Sequence, residues 1–162
     1  MIGVDPGTAA TGLAAVAGER RGRAVVLAAR TVRTSADMAE ERRLHAVYRA
    51  LRRALADHHP EAVAVERLMW GKNVGSAMSV ARASGVVLLA AAEAGIPVKE
   101  YAPLEVKMAV AGSGSAGKGD VRQALRRLHG LSDVPAEPDA ADAVAVALCH
   151  LHRNTALTEV AP

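Results

Sequence analysis

Short apolar runs alternate with helical stripes along the chain. "MIGVD" at 1–5 is an apolar run that ends on Asp5 and enters the turn Pro6-Gly7, the pattern of a buried strand. "TGLAAVA" (11–17) and "AVVLAARTVR" (24–33) predict two more strands about the turn "GERRGR", so the opening segment predicts an antiparallel meander. Leu44, Val47, Tyr48, Leu51 and Leu55 then recur at helical spacing, predicting an amphipathic helix over 37–58 with Arg42, Arg49 and Arg53 on its solvated side.

"EAVAVE" (61–66) predicts a fourth strand, again ending in a carboxylate, Glu66. A small-residue-rich helix is expected over 73–94, a fifth strand over 97–101, and helices over 103–111, 118–129 and 138–152. The order predicts an α/β fold, a five-stranded mixed sheet flanked by helices. A helical crossover lets strand four lie parallel to strand one. Asp5 and Glu66 would then end neighbouring strands, at the edge where open α/β sheets bind ligands. A single domain over 1–153 is expected, with 154–162 a flexible tail.

The last helix, "PDAADAVAVALCH" (138–150), changes the picture. Pro at the first helical position and one acid in the first turn are ordinary. A second acid, Asp142, sits three residues after Asp139 on a helix that is otherwise apolar and wants burial. A buried carboxylate without a partner is costly. Asp5, Glu66, Asp139 and Asp142 could converge on one sheet edge, and four such groups cannot all stay ionised without counter-charge. Hard oxygen donors suit Mg²⁺ or Mn²⁺. Two such ions about 3.5–4 Å apart can activate water and stabilise a leaving oxygen in phosphodiester cleavage.

Composition adds little against this reading. Aromatics are 2% of the chain, so the core must be built from Val, Leu, Met and Ala. The net charge of +3 permits a polyanionic partner. Cys149 is the only cysteine, which excludes an internal disulfide and a cysteine-based zinc cluster. The chain starts without a signal-type leader, and "ASGVVLLAAA" (83–92) is too short to span a bilayer. A cytoplasmic protein with no membrane partner is expected.

"GVDPGTAATG", "AVERLMWGKN" and "PDAADAVAVALCH" resemble, in order and spacing, the RuvC family of bacterial Holliday-junction resolvases. The resemblance runs from about residue 1 to 152. It implies an RNase H-like fold, a homodimer, and metal-dependent cleavage of four-way DNA junctions by paired symmetric nicks, in recombination and repair. It implies two Mg²⁺ or Mn²⁺ ions per site, held by Asp5, Glu66, Asp139 and Asp142 as catalytic acids, with Asp5 bridging. Ends carrying 5′-phosphate and 3′-hydroxyl would result. The outer face of the helix at 73–94 would contribute to the dimer. The sequence leaves open whether a RuvA–RuvB branch-migration complex works with the chain.

Basic residues carry the substrate side of the resemblance. Lys107 and Lys118, in "VKMAVAGSGSAGKGD", match a family segment that contacts the scissile phosphate region and junction backbone; Lys suits phosphate as a mobile point charge. After Glu66 the family commonly has a junction-wedging aromatic at the position of Met69, while here the aromatic is Trp70. Trp70 can stack on a base and Met69 can insert as an apolar wedge, so both stay open. Lys72 and Asn73 match the family's DNA-contacting pattern, and Asn73 also suits a helix cap. Gly112, Gly117 and Lys118 mimic a phosphate-loop spacing, but position 119 is Gly rather than Ser or Thr and a helix is expected before Gly112. His58, His59 and His129 fall near helix ends, and His150 lies two turns beyond Asp142 without a clear tie to it.

Three alternatives compete. An RNase H-fold nuclease of the RuvX/YqgF type would apply the same chemistry to RNA. A sugar-kinase-type phosphate site would need a second comparable domain. A non-catalytic junction-binding module would not require four acids.

Overall fold

The computed structural model describes residues 1–18, 24–68 and 74–158. Three strands open the chain: β1 (Ile2–Asp5), β2 (Ala10–Gly18) and β3 (Ala24–Arg33). Helix α1 (Glu40–His58) leads to β4 (Val63–Glu66), α2 (Val74–Glu93) and β5 (Val98–Tyr101). Helices α3 (Pro103–Ala111), α4 (Lys118–Arg127) and α5 (Pro138–Thr158) follow.

The strands form one mixed sheet in the order β3-β2-β1-β4-β5. The meander β1-β2-β3 is antiparallel and β4 runs parallel to β1, as the sequence predicts, while β5 pairs parallel with β4. Side chains alternate between the two faces. Ile2, Val4, Leu13, Ala15, Val63 and Val65 join α1 and α2 in one buried cluster. Ala14, Val16 and Ala64 face α3, α4 and α5 in the other.

Two helix ends differ from expectation by three residues or more, and α4 stops two residues early, at Arg127. Helix α1 begins at Glu40, not near residue 37. Ser35 accounts for this: its hydroxyl accepts the Asp37 N–H at 3.2 Å, and its carbonyl accepts Met38 N–H at 3.2 Å, a tight turn that precedes the helix. Helix α5 runs to Thr158 rather than stopping near residue 152. Ala156 and Leu157 are strong helix formers, and Gly and Pro are absent until Pro162.

Helix α5 lies unusually close to the sheet because two strand positions beneath it have no side chain. A Cβ on Gly3 would stand 2.1 Å from the Ala143 carbonyl oxygen. A Cβ on Gly12 would stand 1.9 Å from that of Asp139. Both contacts are far inside van der Waals distance, so only glycine permits this approach.

Candidate active site

Asp5 is the last residue of β1, and Glu66 the last of β4. The parallel register pairs Val4 with Val65, so the two acids are neighbours at the same sheet edge. Strand alternation puts Asp5 on the face of Gly3 and Glu66 on the face of Ala64, the side covered by α5. Asp139 and Asp142 arrive from above on the first turns of α5. Gly12 is the cross-strand partner of Asp5 and also lies under the Asp139 backbone. The sheet edge and the helix start are thus held together by main-chain packing.

The four carboxyls feel one another. Burial first, then Glu66, Asp142 and Asp139, push the Asp5 carboxyl up to about 8, against a smaller opposing pull from Lys118. Burial and then Asp142 raise Glu66. A hydrogen bond from the protonated Asp5 partly offsets this, as do the charges of Lys118 and Lys107. Asp5 therefore carries a proton at neutral pH in the metal-free chain.

Among the described residues, no three Asp, Glu, His or Cys side chains already surround one ion-sized position. Cations from neighbouring elements hold the helix aspartates. Lys118 Nζ, at the start of α4, donates to Asp142 Oδ2 at 2.7 Å. Arg33 Nη2, at the end of β3, lies 3.9 Å from Asp139 Oδ2. Even so, the donor set fits a divalent cation. Its oxygens are hard, and burial first, then repulsion among the acids, raises the two strand acids, a cost that a bound cation would offset.

The hairpin after Asp5 is tied down separately. Thr11, fully buried, donates its hydroxyl to the Gly7 carbonyl. The Thr8 hydroxyl bonds that of Ser79 on α2, and the Thr34 hydroxyl donates to the Thr8 carbonyl. Lys107 lies on α3, where its charge reaches Glu66. Met69, Trp70, Lys72 and Asn73 lie outside the described residues. Gly112 closes α3 in a left-handed conformation, so the segment resembling a phosphate loop follows a helix. His150 is turned away from the acids: its Nδ1 bonds the Tyr101 hydroxyl at 2.7 Å in the core.

The family model for crossover junction endodeoxyribonuclease RuvC matches residues 1–150. The chain belongs to the RuvC family. Curated RuvC proteins of Syntrophomonas wolfei and Chloroflexus aggregans are 44% and 47% identical to it. Those alignments cover 94% and 93% of this chain, and 88% and 92% of the relatives. Among solved structures, Thermus thermophilus RuvC in complex with Holliday junction substrate superposes with a TM-score of 0.87 at 36% identity, covering 96% of this chain and 94% of that one. Free T. thermophilus RuvC gives 0.86 at 37% identity, covering 96% and 95%. The yeast mitochondrial Holliday junction resolvase Ydc2 shares the fold, with a TM-score of 0.71 at 9% identity, over 98% of this chain and 81% of that one. The RNase H-like architecture read from the sequence is the fold of these RuvC relatives.

Sequence reasoning missed Arg33. The meander itself carried the signal: its register pairs Ala10 with Arg33, beside the turn that follows Asp5. A basic residue ending the third strand is therefore a neighbour of the site.

Proposed function

We propose that this chain is a structure-selective endonuclease that resolves four-way DNA junctions by paired symmetric nicks. The observation that carries the reading is the convergence of two strand-end acids and two helix acids, within a RuvC-family chain. The solved relative in complex with Holliday junction substrate supplies the substrate class.

Asp5, Glu66, Asp139 and Asp142 would hold two divalent ions, Mg²⁺ or Mn²⁺. Such ions, when bound, activate water and stabilise the leaving oxygen. The chain's own residues do the rest. Asp5, protonated near neutral pH, would release its proton to solvent where it serves as a ligand. Burial of Asp5 and Glu66 lowers the local dielectric and strengthens every charge interaction at the scissile phosphate. Lys107 and Lys118 offer point charges to the phosphate and the adjoining backbone. From sequence, Met69 or Trp70 is assigned to the junction centre as a wedge, and Lys72 and Asn73 to DNA contact.

A homodimer follows from the reaction. Two symmetric cuts need two identical sites, which a two-fold enzyme presents. The outer side of α2 supports such a contact: Met78, Leu88 and Leu89 are exposed apolar residues at helical spacing, and Gly85 between them faces open space.

The test is cleavage of an end-labelled mobile four-way junction beside linear duplex, single-stranded RNA and RNA–DNA hybrid, with Mg²⁺, Mn²⁺ or EDTA. Paired, metal-dependent nicks confined to the junction are expected. Cutting of RNA alone would move the chain to the RNA-cleaving class.

A further inference from the structure

Among the described residues, the two cations paired with Asp139 and Asp142 come from outside the helix that carries them. Lys118 comes from the start of α4 and Arg33 from the end of β3. Each stands on one of the two α5 aspartates. We propose that Lys118 and Arg33 are displaceable counter-cations: they hold Asp142 and Asp139 while DNA is absent and pass to backbone phosphates when it binds, so that junction binding raises the site's affinity for divalent ions. The inference rests on the functional reading above and adds an order of events to it.

The geometry allows the exchange. The Lys118 side chain is 70% exposed while that of Asp142 is 22% exposed, so a solvated stem reaches in to a largely covered carboxylate. Lys118 lies between Gly117 and Gly119, and even a Cβ at 119 would meet nothing within 4 Å. That leaves room for the ammonium to swing outward. Arg33 is 60% exposed and touches Asp139 only loosely, so it too is free to turn.

The chemistry favours the exchange. Lys118 takes a lone pair of Asp142 Oδ2 that a hard cation would use, and its charge also bears on Asp5 and Asp139. An ammonium and a divalent ion on one carboxylate repel each other. A phosphodiester backbone offers both cations a replacement anion. Any effect of junction on metal affinity must be matched by an equal effect of metal on junction affinity.

The test reads Mn²⁺ binding, not cleavage, through the electron paramagnetic resonance signal of free Mn²⁺ in solutions of the full chain. Without DNA, Lys118→Met is expected to bind Mn²⁺ at least about five-fold more tightly than wild type, and Arg33→Met to tighten it by less. Lys118→Arg restores the counter-cation and should return wild-type affinity. Lys107→Met removes a nearby charge that acts on Glu66 only through space, and should change affinity by less than about two-fold. An immobile four-way junction, corrected for Mn²⁺ held by DNA alone, should tighten wild-type binding more than that of Lys118→Met. Unchanged or weaker Mn²⁺ binding in Lys118→Met, or tightening no greater than in Lys107→Met, overturns the inference. Mn²⁺ binding that survives intact in Asp5→Asn overturns the site assignment beneath it.

Discussion

Gly12 lies directly beneath the backbone of Asp139, where a Cβ would stand 1.9 Å from the carbonyl oxygen. Gly12 is also the cross-strand partner of Asp5. One missing side chain therefore sets the spacing between a strand acid and a helix acid. Gly12→Ala should lift the start of α5, cost about 1–3 kcal/mol of stability, and reduce cleavage about 100-fold through misplacement of the acids. Junction affinity should change little. Denaturant melts, gel-shift binding and single-turnover cleavage separate the three effects.

Asp5 makes the metal-free protein sensitive to pH. Its folded carboxyl titrates near 8, well above an unfolded Asp near 3.8. Between those values the folded state holds a proton that the unfolded state has released, so this contribution to stability is full below about pH 4 and is lost as pH rises through 8. Asp5→Asn removes the share of the dependence that belongs to Asp5. With EDTA present, the variant should gain stability over wild type as pH rises from 5 to 9, by several kcal/mol at the upper end. Urea melts at a series of pH values test this; a difference that is flat or shrinks toward pH 9 would contradict the assigned environment of Asp5.

Leu89 is 55% exposed on the outer side of α2. Leu89→Glu should leave the fold and melting temperature nearly unchanged while weakening self-association at least about ten-fold, a loss of about 1.4 kcal/mol. Sedimentation across a concentration series measures it. A wild-type chain that is monomeric at all concentrations would remove the dimer from the account.

Tyr101 and His150 form a buried pair far from the acids in role. Burial lowers His150 from its ordinary value, so the folded imidazole stays neutral where an unfolded one takes up a proton. Its contribution is present above about pH 6.5 and falls away as pH drops below that. Tyr101→Phe should cost about 1 kcal/mol without altering cleavage. An effect on metal-dependent cutting would tie His150 to the site.

Much of this architecture was legible before the fold. The strand ending in Asp5 and that ending in Glu66 announce themselves as apolar runs closed by an acid, and Asp139 and Asp142 stand out because their helix is otherwise apolar. Period-two and period-3.6 patterns report burial, and an acid breaking such a pattern is conspicuous. Contacts across elements are less visible. Gly3 and Gly12 carry no local sign that a helix backbone will rest on them, since small residues abound in this Ala-rich chain. Arg33 is one of many arginines, and only the meander's register brings it beside Asp139. Lys118 resembles a phosphate contact in sequence, yet in the DNA-free fold it sits on Asp142. In the proposed exchange its other partner, a backbone phosphate, would belong to the substrate rather than to the chain.

The central claim is that the acids gathered about Asp5 perform the cutting. The most direct measurement compares wild type and Asp5→Asn, under saturating protein, for cleavage of an end-labelled four-way junction in Mg²⁺ and in Mn²⁺, with junction binding followed in parallel. The account predicts that the variant binds the junction within a few-fold of wild type and makes no paired nicks in either metal. Cutting by pure Asp5→Asn protein at near the wild-type rate would contradict it.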